Sequence, residues 1–217
     1  MKANSERVRG KNFKEFNGKP LFKWILDTLL SVEQVDTVVI NTDARDILIE
    51  NGVEVSDRVL IRDRRSELCG DLISMNQVLA DDVANVSADI YLMTHTTNPF
   101  LSPETIFRAI ERFKNAENED NYDSLFTVNR VQSRFYKANG TAVNHDPDNL
   151  IRTQDLEPWF EENSNLYLFT KESFLRTKAR IGIKPFLLES PRFESVDIDD
   201  QADWDLALIL AKYLAKL

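Results

Sequence analysis

The chain has 217 residues, 42% hydrophobic and 29% charged, with a net charge of −9. This is the length of one domain with ample apolar content for a core, so a disordered chain is excluded, and no apolar run approaches the ~18 residues of a membrane span. One cysteine and two histidines exclude a disulfide scaffold and a structural zinc site, and the acidic balance argues against a duplex nucleic-acid binder.

In chain order, Lys19 to Ser31 places Leu21, Phe22, Ile25, Leu29 and Leu30 at helical spacing, with Pro20 tolerated in the first turn. Val35 to Thr42 is rich in β-branched residues and reads as a buried strand. Ala44 to Asn51 is a short helix closed by Gly52, and Val59 to Arg62 a second strand. Asp71 to Val86 reads as a helix and Asp89 to Thr94 as another buried strand. Ser102-Pro103-Glu104 opens a further helix, with Ser as cap, Pro at the first position and an acid in the first turn. Ser124 to Val131 is a fourth strand. Phe135 to Val143 looks like a hairpin turning at Asn139-Gly140. Asn165 to Thr170, Phe186 to Leu188 and Ser195 to Ile198 read as short strands, and Ala202 to Leu217 as an amphipathic closing helix.

Strand–helix alternation over residues 1–130 argues a three-layer α/β fold with a mostly parallel sheet. Residues 131–184 break the rhythm and read as an inserted β-rich lobe, suited to a lid or a subunit interface. The chain is thus one domain, 1–217, with its core at about 1–130 and 185–217. Ligands of open α/β sheets bind beyond the carboxyl ends of strands, where Asn41-Thr42-Asp43, Thr94 to Asn98 and Asp197 to Asp199 would lie. Such a sheet normally opens with a buried strand before its first loop, but here a polar segment follows Met1 at once. An upstream start is expected, the alternative being a missing central strand. The polar opening has no apolar leader, so a cytoplasmic location is expected.

Residues 1–24 hold seven basic side chains and two acids, a local charge of +5 against −14 for the remainder. The segment Lys2 to Asn12 mixes basic, small and amide residues in a loop before an amphipathic helix. Such a loop can surround phosphate oxygens with N–H groups and cations, although it matches neither glycine-rich phosphate fingerprint. In an extended segment Asp197 and Asp199 project to one side, about 7 Å apart, a spacing that suits Mg²⁺ held with waters and phosphates. Capping of the closing helix by Asp199 or Asp200 is the competing use, and both can hold at once. His95 could bond a ribose or base, though a lone histidine is more commonly structural.

Taken together, the motifs resemble the acylneuraminate cytidylyltransferase (CMP–sialic acid synthetase) family, in a less-described branch. That family opens roughly with A-R-x-x-S-x-R-x-P-x-K-N, which stands here as Met1 to Asn12. Its S-T-D appears as Asn41-Thr42-Asp43, its E-L-x-x-D as Glu67 to Asp71, its Q-P-T-S-P-L as His95 to Phe100, and its S-x-D-I-D as Ser195 to Asp199. The resemblance implies a three-layer αβα, nucleotide-diphospho-sugar-transferase-like (Rossmann-like) fold with a dimerisation lobe. It implies a Mg²⁺-dependent homodimer that joins CTP to an acidic 2-keto sugar, releasing pyrophosphate, without nucleic-acid or membrane partners. By similarity Lys2, Asn4, Ser5, Arg7, Lys11, Asn12, Arg64, Ser74 and His95 would bind nucleotide. Asp197 and Asp199 would hold Mg²⁺ and act with Lys11 in catalysis. Thr97, Asn98, Arg134 and Asn163 would face the sugar.

The chain also departs from the pattern. Lys2 replaces an arginine, losing its fork but keeping a charge, and Arg9 replaces the loop proline. Glu161 stands where sialic acid enzymes carry an arginine, which removes a natural partner for a sugar carboxylate; Arg134 or Arg152 would have to serve instead, or the sugar differs. A non-catalytic nucleotide-binding protein of this fold, and a transferase using another nucleoside triphosphate, remain the alternatives.

Overall fold

Asn17 and Gly18 both adopt positive φ, 48° and 93°, the backbone that an Asn-Gly hairpin turn requires. They join β1 (Glu15–Phe16) to β2 (Lys19–Pro20). Helix α1 (Leu21–Ser31) follows and buries Leu21, Phe22, Ile25, Leu26 and Leu29. In this computed structural model, which describes residues 1–3, 7–70 and 72–216, the expectations for Asn4, Ser5 and Asp71 fall outside the described residues.

Strand β3 (Val38–Thr42), helix α2 (Arg45–Glu50) and strand β4 (Val59–Asp63) form a β-α-β unit, and its strands pair in parallel. Helix α3 (Met75–Asn85) leads to β5 (Ile90–Thr94), and helix α4 (Pro103–Asp120) to β6 (Ser124–Val131). The long strand β7 (Trp159–Thr170) then inserts antiparallel between β5 and β6. After α5 (Lys171–Thr177), β8 (Pro185–Glu189) pairs in parallel with β6, and α6 (Gln201–Leu214) closes the chain. The sheet layer is therefore mixed: crossovers through helices supply its parallel pairs, and β7 supplies its antiparallel ones.

One apolar cluster joins Phe22, Ile25, Leu48, Ile61, Ile106, Phe113, Leu125 and Leu168. It unites the β3–β4 pair with the four-stranded sheet, each such side chain contributing roughly 1.5–3 kcal/mol of burial. Among the described residues β3 and β5 are not paired with each other. Residues 1–3 are held at the carboxyl end of β3 and by Asn12. The Met1 amine donates to the Asn41 carbonyl, the Ala3 N–H to Asp43 Oδ1 at 2.7 Å, and the Lys2 carbonyl accepts from Asn12.

Two expectations need redrawing. Of the segment 131–184, β7 and α5 pack in the main layer: Leu166, Tyr167, Leu168, Phe169 and Phe174 are buried. The irregular part is 132–158, where the Asn139-Gly140 turn is closed by backbone bonds between Lys137 and Thr141 and between Val143 and Phe135. Ser195 to Ile198 is not a strand. Its backbone bonds run to the Arg192 turn and to the loop after β5, where the Ile198 N–H meets the Thr97 carbonyl at 2.9 Å. The apolar–polar alternation that suggests a strand here comes from a loop plugged into the core by Val196 and Ile198.

Candidate active site

Gly10, in the left-handed region at φ 61°, starts a tight turn over Lys11–Phe13. The turn drives Lys11 inward, where its ammonium donates to the Ile198 carbonyl and stands 3.6 Å from Asp199 Oδ1. Arg7 reaches the other Asp199 oxygen at 3.1 Å. The basic N-terminal loop and the C-terminal aspartates, 187 residues apart at this contact, thus meet at one point.

Asp199 and its neighbours are fixed from below. Asp200 caps α6, accepting from the Ala202 and Asp203 N–H groups, while Asp203 accepts from those of Asp199 and Asp200. Capping therefore falls to Asp200, which leaves the other two carboxylates available. The Oδ1 of Asp197 is buried without a partner. Burial raises the Asp197 carboxyl above the usual range against the opposing influence of the Thr97 side chain, and the charge of Asp199 pushes the same way as burial. The loop hangs from the core at a second place: buried Glu194 accepts from both the N–H and the hydroxyl of Ser102 at the start of α4.

A second group of polar side chains stands at the strand ends. Asn12 accepts from the Thr96 hydroxyl at 2.6 Å and donates to the Lys2 carbonyl. Arg64 grips Asn41 through its side-chain oxygen and its carbonyl, both at 2.9 Å. Beneath them Arg62 pairs with Asp81 at 2.9 Å and with Asp82, which also accepts from Asn41. His95, after β5, is held to a pKa of about 4 by burial first and then by the positive charge of Arg180. Its imidazole is therefore neutral near pH 7 and can offer hydrogen bonds without charge.

Several expected contacts take other roles. Asn98 is fully buried and donates to the Val196 carbonyl, so it cannot touch a sugar. Asn163 is likewise buried; it accepts from Thr127 and donates to Asn129 and Ser190, tying β6, β7 and the turn after β8 together. Arg134 donates to the Ile151 carbonyl within the 132–158 segment. Ser74 caps α3 in a reciprocal pair with Gln77. Lys11, Asn12, Arg64, Thr97, Asp197 and Asp199 do converge with the strand ends. Reasoning from sequence misses Arg62 with Asp81 and Asp82, and Tyr167 with Glu162 and Arg180. The first group had one visible signal, the adjacent acidic pair Asp81-Asp82 within a predicted helix; the second comes from elements that meet only in the fold.

The arrangement offers cations for phosphate oxygens on one side and paired carboxylates on the other. No group of three or more metal-ligating side chains stands together among the described residues. The unpartnered, buried Oδ1 of Asp197 beside Asp199 nevertheless fits a hard cation whose remaining ligands are waters and phosphates.

The cytidylyltransferase family model matches residues 1–203. The CMP-N,N′-diacetyllegionaminic acid synthase of Legionella pneumophila is 27% identical, over 94% of this chain and 90% of its own length. The N-acylneuraminate cytidylyltransferase of Oncorhynchus mykiss is also 27% identical, over 95% of this chain but 48% of its own length, so the chain spans about half of that relative. A solved CMP:2-keto-3-deoxy-manno-octonic acid synthetase complexed with CTP shares the fold, with a TM-score of 0.66 at 15% identity, covering 98% of this chain and 96% of that one.

Proposed function

This chain belongs to the cytidylyltransferase family, and we propose that it transfers a cytidylyl group from CTP to an acidic 2-keto sugar, giving a CMP-sugar and pyrophosphate. The observation that carries the reading is the meeting of Lys11 and Arg7 with Asp199 and the buried, unpartnered oxygen of Asp197.

In this reading the sugar's anomeric hydroxyl attacks the α-phosphorus in line and releases its proton to solvent; the P–O bond to the β-phosphate breaks and pyrophosphate departs. The protein's part is positioning and charge neutralisation. Lys11 and Arg7 take up negative charge on the triphosphate, with Lys2 alongside. Asn12, fixed by Thr96 and the Lys2 carbonyl, holds the loop to the end of β5. Asp197 and Asp199 would hold Mg²⁺, which when bound supplies Lewis-acid polarisation of the phosphoryl oxygens. Neutral His95 contributes a hydrogen bond to the nucleotide's sugar or base.

A homodimer is part of the proposal. Tyr136, Val143, Leu150, Ile151, Trp159 and Phe160 all lie exposed on or beside the irregular segment, an apolar grouping that suits a second copy. A cytoplasmic location is in keeping with a CTP-dependent reaction. The test is pyrophosphate release from CTP, with GTP and UTP in parallel, in the presence of Mg²⁺ and acidic 2-keto sugars. Release with CTP alone among the nucleotides is expected. Tight CTP binding by calorimetry with no release for any sugar would overturn the enzyme reading in favour of a binding protein.

A further inference from the structure

A cavity of about 320 Å³ opens between the start of α3 and the loop after α5, lined by Ser74, Asn76, Glu162 and Arg180 among others. Its size suits a small polar ligand. Arg180 is the cation of this cavity, with its side chain 20% exposed. Its guanidinium lies 3.9 Å above the centre of the Tyr167 ring. Nη2 donates to the Tyr167 hydroxyl at 3.0 Å and to Glu162 Oε1 at 3.4 Å. Nη1 meets the thioether sulfur of Met93 at 3.9 Å, a weak acceptor. The backbone N–H of Arg180 is fixed by Asn76. One nitrogen of the guanidinium therefore carries its oxygen contacts, and the rest of the fork has no oxygen acceptor among the described residues. A rigid, partly desolvated fork with spare donors is built for a planar anion.

The other arginines considered for that task lie in the irregular segment 132–158, away from this cavity's lining. Arg152 is closed on Asp155 at 2.6 and 3.0 Å, and Arg134 is tied to the Ile151 carbonyl through Nη2 while its Nε is buried without a partner. Glu161, at the departure noted above, accepts from Asn129. Arg180 touches Met93 of β5, two residues before His95, so the cavity lies beside the end of that strand.

We propose that Arg180 binds the carboxylate of the acidic sugar, with Glu162 beside it accepting from a sugar hydroxyl or amide N–H. This rests on the transferase reading and names the specificity residue that replaces the arginine missing at position 161. Tyr167 acts as a positioning residue: its ring and hydroxyl hold the guanidinium in one plane.

The test uses the full chain loaded with CTP. Calorimetry measures binding of N-acetylneuraminic acid and N,N′-diacetyllegionaminic acid, each beside its C1 methyl ester, which keeps the ring but removes the charge. The wild type should prefer an acid over its ester by at least about tenfold. Arg180→Gln should abolish that preference and raise the sugar KM about 10- to 100-fold, leaving the KM for CTP within about twofold. Arg180→Lys, which keeps the charge without the fork, should restore part of the preference; it also guards against misfolding of the first variant. Equal binding of acid and ester by the wild type, or a preference that survives in Arg180→Gln, overturns the proposal. Pyrophosphate release by the wild type is read separately, and its absence speaks against the transferase reading rather than against Arg180.

Discussion

Replacing Lys11 by methionine removes the ammonium that ties the N-terminal loop to the aspartate loop while keeping the aliphatic stem. The hydrogen bond to the Ile198 carbonyl is charge-assisted and buried, and such bonds contribute roughly 1.5–3 kcal/mol. The ion pair to Asp199 adds less than ~1 kcal/mol, because that carboxylate is half exposed. Relief of the ammonium's own desolvation offsets part of this. A net loss of about 2 kcal/mol should remain. For a chain of this size it lowers Tm by about 4–8 °C. Calorimetric melting with and without CTP checks both consequences. Wild-type protein at a hundredfold excess of CTP over Kd should gain about 2.7 kcal/mol, and Lys11→Met should lose most of that gain. A variant that melts with the wild type and is stabilised equally by CTP would show that this lysine neither clamps the loops nor meets the triphosphate.

Asp197→Asn should reduce pyrophosphate release at least ~100-fold while leaving Tm unchanged or higher, because burial and Asp199 penalise the carboxylate it removes; paired turnover and melting measurements separate the two effects. The raised Asp197 carboxyl binds its proton more tightly folded than unfolded, so its contribution to stability falls as pH rises through the ordinary carboxylate range. Urea unfolding of the Mg²⁺-free protein across that range checks it. His95 has the opposite sense: held at about 4 against an ordinary 6.5, it makes the fold lose stability as pH drops through that interval. Its ring NMR signals should stay in the neutral form between about pH 5.5 and 8. Glu194→Ala leaves the Ser102 N–H and hydroxyl without their buried acceptor and should cost about 2 kcal/mol in urea unfolding.

Local chemistry made much of this molecule legible in its sequence. Ser102-Pro103-Glu104 does begin a helix, because a hydroxyl cap and a proline in the first turn act within the segment itself. The β-branched run ending at Thr42 does form a buried strand, and the phosphate-type loop does meet the aspartates. What stayed hidden depends on contacts distant in sequence. The polar residues Asn98 and Asn163 have the composition of a binding site, yet the fold buries both and ties their amide nitrogens to its own backbone and side chains. Arg180 sits in an unremarkable basic stretch and acquires its geometry only when β7 brings Tyr167 beneath it. The extra order of β7 is of the same kind: Trp159 to Asn163 read as irregular until β6 supplies a partner.

The backbone of the aspartate loop is bonded in a pattern that deuterium can read. The Ile198 amide is held by the Thr97 carbonyl, and those of Asp199 and Asp200 by Asp203. These protons leave only when the segment detaches from the end of β5 or α6 frays. At a fixed pH, mass-resolved isotope uptake over this short peptide therefore follows the docking of the acidic segment itself, in the absence of turnover.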